Sequence, residues 1–259
     1  MCAVRLTRCF IDAPLSPGAL VALPDAAAVH LTRVLRLGPG ARFALFNGDG
    51  LDYEAELAQI DKRGASAEVI ATRRVESESP LPLVLAQSVA RGEKMDFVLQ
   101  KATELGVAGI VPLITERTEV RLDAERGEKR RTHWQGVIAS ACEQSGRARL
   151  PALGQVATLA NWLDDAPAPE RDGGGPSAGQ RLPLFYLDPD AETSLRGLPE
   201  AARRGACFVI GPEGGLGERD LALLRAAGAT GIRLGPRVLR TETAGLALLA
   251  AIQALWGDF

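Results

Sequence analysis

From Leu81 onward, short uninterrupted apolar runs alternate with segments of helical periodicity, and this alternation restricts the fold more than any other feature. The runs are LPLVLAQSV, GIVPLI, LPLFYLD, CFVIG and GIRLG. Between and after them lie helical patterns from Glu93 to Leu105, from about Glu128 to Ser145, from Glu218 to Ala227 and from about Thr243 to Trp256. Strands apolar on both faces, joined by helical crossovers, predict an α/β fold with a mostly parallel sheet. In the first helix Met95, Val98, Leu99, Ala102 and Leu105 repeat at helical spacing, so that face is expected to pack on the sheet.

The first 75 residues follow a different rule. Val4, Leu6, Arg8 and Phe10 step at period two; ARFALF, the turn Asn47-Gly48-Asp49-Gly50 and LDYEAEL read as a hairpin, with Leu51, Tyr53, Ala55 and Leu57 on one face. A third strand follows near Ala67 to Val75. A short helix capped by Asp25, with Val34 and Leu35 inward, completes a small β-barrel. The polar run Glu76 to Pro80 reads as a linker, giving domains at 1–75 and 80–259. The stretch Ala166 to Gln180, rich in proline and glycine, is not expected to form an ordered element.

Composition narrows the function classes. With 46% apolar and 24% charged residues, 259 residues can bury a core without disulfides or metal. Four cysteines without a CxxC pair and two distant histidines predict no protein metal site. Neither a leader-like start nor a long apolar run is present, so a cytoplasmic protein with reduced thiols and no membrane segment is expected. The formal charge of −2 offers no general basic surplus, so any nucleic acid must meet a local patch.

Two segments carry chemistry. In CFVIGPEGGLGERDLALLRAAG a strand runs into Gly211-Pro212-Glu213-Gly214-Gly215, where glycines admit close backbone approach to a ligand, or simply serve a tight turn. The spacing matches neither GxGxxG nor a phosphate loop, which removes the NAD and NTP readings. In GIRLGPRVLRTETAGLALLAAIQALW a loop holding Arg237, Arg240 and Glu242 precedes a helix apolar on nearly every side. Such a helix must be buried within the protein or between subunits, and at about 14 residues it is too short for a bilayer.

Taken together, GPEGGLGERD and LGPRVLRTETA resemble the C-terminal signature of the ribosomal RNA small subunit methyltransferase E family, within the knotted SPOUT superfamily. MDFVLQKATELGV, PLITERTEVRL and HWQGVIASACEQSGRARLP match in family order, and HLTRVLRLGPGARFALFNGDG resembles the family's PUA-like barrel. The resemblance covers nearly the whole chain. It implies a trefoil knot, an exception to the rule against threaded chains, and S-adenosylmethionine bound by Leu187, Asp188, Pro189, by Gly211, Pro212, Glu213, Gly214, Gly215, and by Leu234, Gly235, Leu239, Arg240, Thr241. Gly214 is expected to touch the methyl donor. Gly217 stands where the family often has a serine helix cap.

The reaction the resemblance implies is methylation of uridine N3 in 16S ribosomal RNA, in the assembled small subunit. Removing the imide proton calls for a base and a cationic donor. Glu143 and Glu242 are candidates for the first, Arg147 and Arg240 for the second. Glu143 and Arg147 are one turn apart on the polar side of their helix, which also suits an ordinary ion pair; Cys142 is read as a packed thiol. Arg33, Arg36 and Arg42, without acidic partners at helical spacing, are candidate RNA phosphate contacts, and the basic run Arg126 to Arg131 is a second candidate. Leu246, Leu248, Leu249, Ile252 and Leu255 predict a homodimer. Rival readings are a non-catalytic RNA-binding protein and a related enzyme acting on transfer RNA.

Overall fold

The computed structural model describes residues 6–61, 64–120, 124–165 and 182–259; Val4 and the Ala166 to Gln180 stretch lie outside them. Contacts divide the chain into two units, 1–78 with 139–150, and 79–138 with 151–259.

The first unit is a five-stranded sheet of β1 (Arg8–Phe10), β2 (Leu20–Ala22), β3 (Arg42–Phe46), β4 (Leu51–Asp61) and β5 (Gly64–Arg74), in the order β1-β3-β4-β5-β2. The β3–β4 hairpin is closed by Asp49, whose carboxylate accepts from Leu51 N (2.8 Å) and Tyr53 OH (2.6 Å). Tyr53, Ala55 and Leu57 are buried, as their alternation requires.

Asp25 does not cap the short helix. α1 (Asp25–Val29) starts behind Pro24 with no side-chain cap, then widens into a π-helical turn at His30–Val34, where Leu35 N bonds His30 O. The wider turn shifts the inward face, so Ala28 and Leu31 are buried while Val34 and Leu35 face out.

Residues 139–150 belong with this unit because Arg8 reaches them. Its guanidinium is buried over the Phe46 ring, pairs with Asp52 at 2.7 Å, and donates to Cys142 O (2.7 Å) and Arg147 O (2.9 Å). The run read as a linker is also tied down: Ser77 Oγ donates to Gly146 O, and Glu78 accepts from Ala148 N and Arg149 N.

The second unit holds β6 (Leu83–Ser88), α2 (Lys94–Glu104), β7 (Gly109–Ile114), most of α3 (Ala124–Ser145), β8 (Ala152–Leu153), β9 (Ala157–Thr158), α4 (Leu159–Asp165), β10 (Leu184–Leu187), β11 (Ala206–Ile210), α5 (Glu218–Ala226), β12 (Thr230–Ile232) and α6 (Thr241–Trp256). Its sheet runs β12-β10-β11-β6-β7-β8, with β9 on β7, and every pair is parallel. β11 is buried at every residue, and Met95, Val98, Leu99 and Ala102 of α2 are fully buried. Leu105 is only half-buried, just past the helix end. Among the described residues no helix is long and apolar enough to cross a membrane.

From β6 the chain builds outward through β7 to β8, then returns to the other side of β6 for β10, β11 and β12. Ligands of open parallel sheets bind outside the carboxyl ends of the strands where the strand order reverses.

Candidate active site

β10, β11 and β12 are parallel neighbours, so the loops that follow them leave the sheet at one edge. A cavity of about 680 Å³ lies there, within the roughly 300–1,000 Å³ range of small-molecule sites. Leu187 lines it at the end of β10, with Asp188 and Pro189 just beyond, Gly211, Pro212, Glu213 and Gly215 after β11, and Leu234, Gly235, Leu239, Arg240 and Thr241 after β12. Three segments separated in sequence converge because the sheet order places their strands side by side.

Gly214 is not part of that lining. A Cβ there would lie 3.2 Å from Arg117 Cβ, and Arg117 Nη1 donates to Gly214 O at 2.9 Å. The missing side chain therefore makes room for the arginine stem. Gly211 is the sterically demanding position: a Cβ would stand 3.0 Å from Leu216 N and 3.1 Å from the Gly215 carbonyl carbon, where the loop folds back on its first residue. Thr241 locks this turn, donating to Gly211 O at 2.6 Å and accepting from buried Gln87 Nε2 at 2.9 Å.

The cavity wall carries both signs of charge. Lys94 Nζ lies 3.2 Å from Glu213 Oε1 and 3.5 Å from Glu242 Oε2. Burial raises the Glu213 carboxyl, but its own backbone N–H, Lys94 and the Arg91 N–H outweigh that and hold it below the ordinary carboxylate range. Glu242 sits in the first turn of α6, not in the preceding loop, and its Oε2 is buried without a hydrogen-bond partner. Lys94 faces that oxygen as an ion pair only. Asp188, Asp190, Arg117, Arg233, Arg237 and Arg240 complete the charged lining. Among the described residues no cluster of three His, Cys, Asp or Glu is placed to hold a metal ion.

A family model for an RNA methyltransferase domain matches residues 77–253, and one for an RNA methyltransferase PUA domain matches residues 23–70. The ribosomal RNA small subunit methyltransferase E of Synechocystis is 31% identical over 92% of this chain and 74% of its own. The chain belongs to the ribosomal RNA small subunit methyltransferase E family. The Buchnera relative from Schizaphis graminum, of the same name, is 28% identical over 98% of both chains. The enzyme of that name from Neisseria gonorrhoeae, solved with S-adenosyl methionine, superposes with a TM-score of 0.84 at 37% identity, covering 98% of this chain and all of that one. A methyltransferase from Legionella pneumophila, solved with the same cofactor, gives 0.87 at 36% identity over 99% of this chain and all of its own.

For this RNA methyltransferase the structure separates the candidate catalytic residues. Arg240 and Glu242 line the cavity. Glu143 and Arg147 do not; both lie in the first unit, where Glu143 Oε1 accepts from Phe10 N at 2.8 Å and Arg147 donates twice to Glu78 Oε2, at 2.7 and 3.0 Å. Arg147 lies beyond the end of α3 and is 5% exposed, so it does not share a solvated helix face with Glu143. Cys142 is fully buried, and burial above all pushes its thiol up to about 12, as expected of a packed thiol.

Arg33 and Arg36 are exposed and make no ion pair with a described residue; Arg36 holds a left-handed backbone at φ 54. Arg42 is neutralised across the sheet by Glu54 at 2.8 Å and Glu56 at 3.9 Å, partners invisible at helical spacing because they sit on the facing strand. In the basic run, Lys129 pairs with Glu125 and Arg131 with Glu128. Lys94 and Arg117 were not among the expected site residues, although Lys94 directly precedes MDFVLQKATELGV and Arg117 lies inside PLITERTEVRL.

Proposed function

We infer that this enzyme transfers the methyl group of S-adenosylmethionine to N3 of a uridine in 16S ribosomal RNA, in the assembled small subunit. The names of its relatives, which specify small-subunit ribosomal RNA, support the substrate. Two solved structures at 36% and 37% identity, each with the cofactor bound, support the donor. The cavity suits that molecule, because a charged amino-acid end needs partners of both signs, and side chains of both signs line the wall. In this reading the segments Leu187–Pro189, Gly211–Gly215 and Leu234–Thr241 form a trefoil knot, two chains pair as a homodimer in the cytoplasm, and no metal takes part.

The observation that carries the mechanism is Glu242, a carboxylate in the cavity wall whose Oε2 is buried facing Lys94 at 3.5 Å. Bound S-adenosylmethionine supplies an electrophilic methyl group. The chain has to take the imide proton from N3 and steady the charge that spreads to O2 and O4. In this reading Glu242 accepts the proton, and the Arg240 guanidinium, two residues earlier in the same wall, donates to the uracil oxygens; that both line the cavity supports it.

Nucleoside mass spectrometry of small subunits incubated with enzyme and donor is expected to show new 3-methyluridine in 16S RNA. A different methylated nucleoside, or product in transfer RNA alone, overturns the reading. Glu242→Gln is expected to lower kcat by roughly 10²–10⁴-fold while calorimetric donor affinity stays within a few-fold. Unchanged turnover removes Glu242 as the base.

A further inference from the structure

We propose that Lys94 is a positioning residue for methyl transfer: from the first residue of α2, its ammonium holds the carboxylates of Glu213 and Glu242 together in the cavity wall. The proposal rests on the reading of Glu242 as the proton acceptor.

The three groups come from distant parts of the chain. Glu213 follows β11 in the glycine-rich loop, Glu242 lies in the first turn of α6, and Lys94 follows the turn after β6. Two carboxylates facing one cation at 3.2 and 3.5 Å form a bridge in which the ammonium cancels their mutual repulsion. Without Lys94 the carboxylates would repel and at least one would turn away. Glu242 has less freedom to reach water, since its side chain is 16% exposed against 32% for Glu213.

Other charges do not duplicate this function. Arg117 spends Nη1 on Gly214 O, and Arg91 reaches Glu213 only through its backbone N–H at 3.4 Å while its guanidinium pairs with Glu119. The N-terminal dipole of α6 favours a carboxylate at Glu242 but does not aim it. Lys94 therefore fixes both the direction of the Glu242 carboxylate and the distance from the glycine-rich loop to α6, at the edge where Thr241 already ties Gly211 to the same helix.

The test uses full-length enzyme with small subunits and donor, both saturating. Lys94→Met is expected to lower kcat on the order of tenfold to a hundredfold, the scale of a misplaced reacting group. The KM for RNA should stay within about threefold, because lost aim removes transition-state rather than ground-state interaction. Lys94→Arg should restore most of kcat, and Lys94→Met should cost nothing more in a Glu242→Gln background. Full turnover in Lys94→Met, or a loss that adds to that of Glu242→Gln, overturns the proposal while leaving Glu242 as the base. Full turnover in Glu242→Gln alone overturns the base assignment and this proposal with it. Hydrogen exchange reads the bridge without any reaction. Amides of 211–216 and 241–244 should exchange faster in Lys94→Met and normally in Lys94→Arg, and unchanged exchange in Lys94→Met likewise overturns the proposal.

Discussion

Gly217 opens α5, and its missing side chain lets Glu116 reach that helix. Glu116 Oε2 accepts from Arg219 N at 3.1 Å, while buried Asp220 accepts from Gly217 N at 3.0 Å and from Glu116 N at 3.1 Å. A Cβ at position 217 would collide with the Glu116 carboxylate. The glycine is thus more than an acceptable cap: the cap comes from another loop, and the glycine clears its path. Gly217→Ala and Glu116→Ala are each expected to lower stability by about 1 kcal/mol, the usual worth of a cap, in urea unfolding. The double variant should lose no more than either single one, because both remove the same bond. Additive losses, or none, would show that Glu116 does not cap the helix. The same logic separates Gly214, whose space is used by Arg117, from Gly211, whose backbone shapes the cavity.

At the scale of elements, α6 departs from its sequence reading both in where it begins and in how much of it is covered. It begins at Thr241, two residues before the apolar pattern does, and this puts Glu242 in the first turn of the helix rather than in the loop. Its apolar residues are also largely used inside the chain: Leu248, Leu249 and Ile252 are fully buried and Leu246 is half-buried, leaving Leu255, 44% exposed, beside exposed Ala254. The proposed homodimer therefore relies on a smaller apolar surface than the sequence implies. Light scattering at micromolar concentration is expected to give twice 27.4 kDa; a mass near 27.4 kDa would leave the dimer without support. Leu255→Asp, at a site that packs little within the chain, should shift the protein toward monomer.

For the whole molecule, the charge of −2 means that RNA has to be met locally. In the first unit Arg33 and Arg36 remain available while Arg42 is neutralised by Glu54 and Glu56. Charge reversal at Arg33 and Arg36 together is expected to weaken RNA binding and flatten its salt dependence, by about 0.7 of a log–log unit per lost contact for single strands. Donor affinity should not change, and Arg42→Glu should leave the slope nearly unaltered. RNA titrations at several salt concentrations check both; an unaltered slope in the double reversal would leave these arginines without a role in RNA binding.

Much of the second unit was legible because its strands are continuous apolar runs and its helices repeat apolar residues every turn, patterns that each segment carries by itself. Those patterns placed β6, β7, β10, β11 and β12 and the helices α2, α3, α5 and α6 but not the short α4, whereas the loops that line the cavity were marked by the family resemblance. β2, β8 and β9, two or three residues each, are too short to show any period, and the apolar pattern of residues 26–35 gave no sign of the π-helical turn. What joins distant residues was decided only in three dimensions. Lys94 meets Glu213 across 119 positions, Arg8 meets Cys142 across 134, and Arg42 meets Glu54 across a hairpin. A sequence determines which residues want burial and where the chain must turn. Which charges neutralise one another depends on the order in which strands stack, and that order follows from packing of the whole sheet rather than from any one segment.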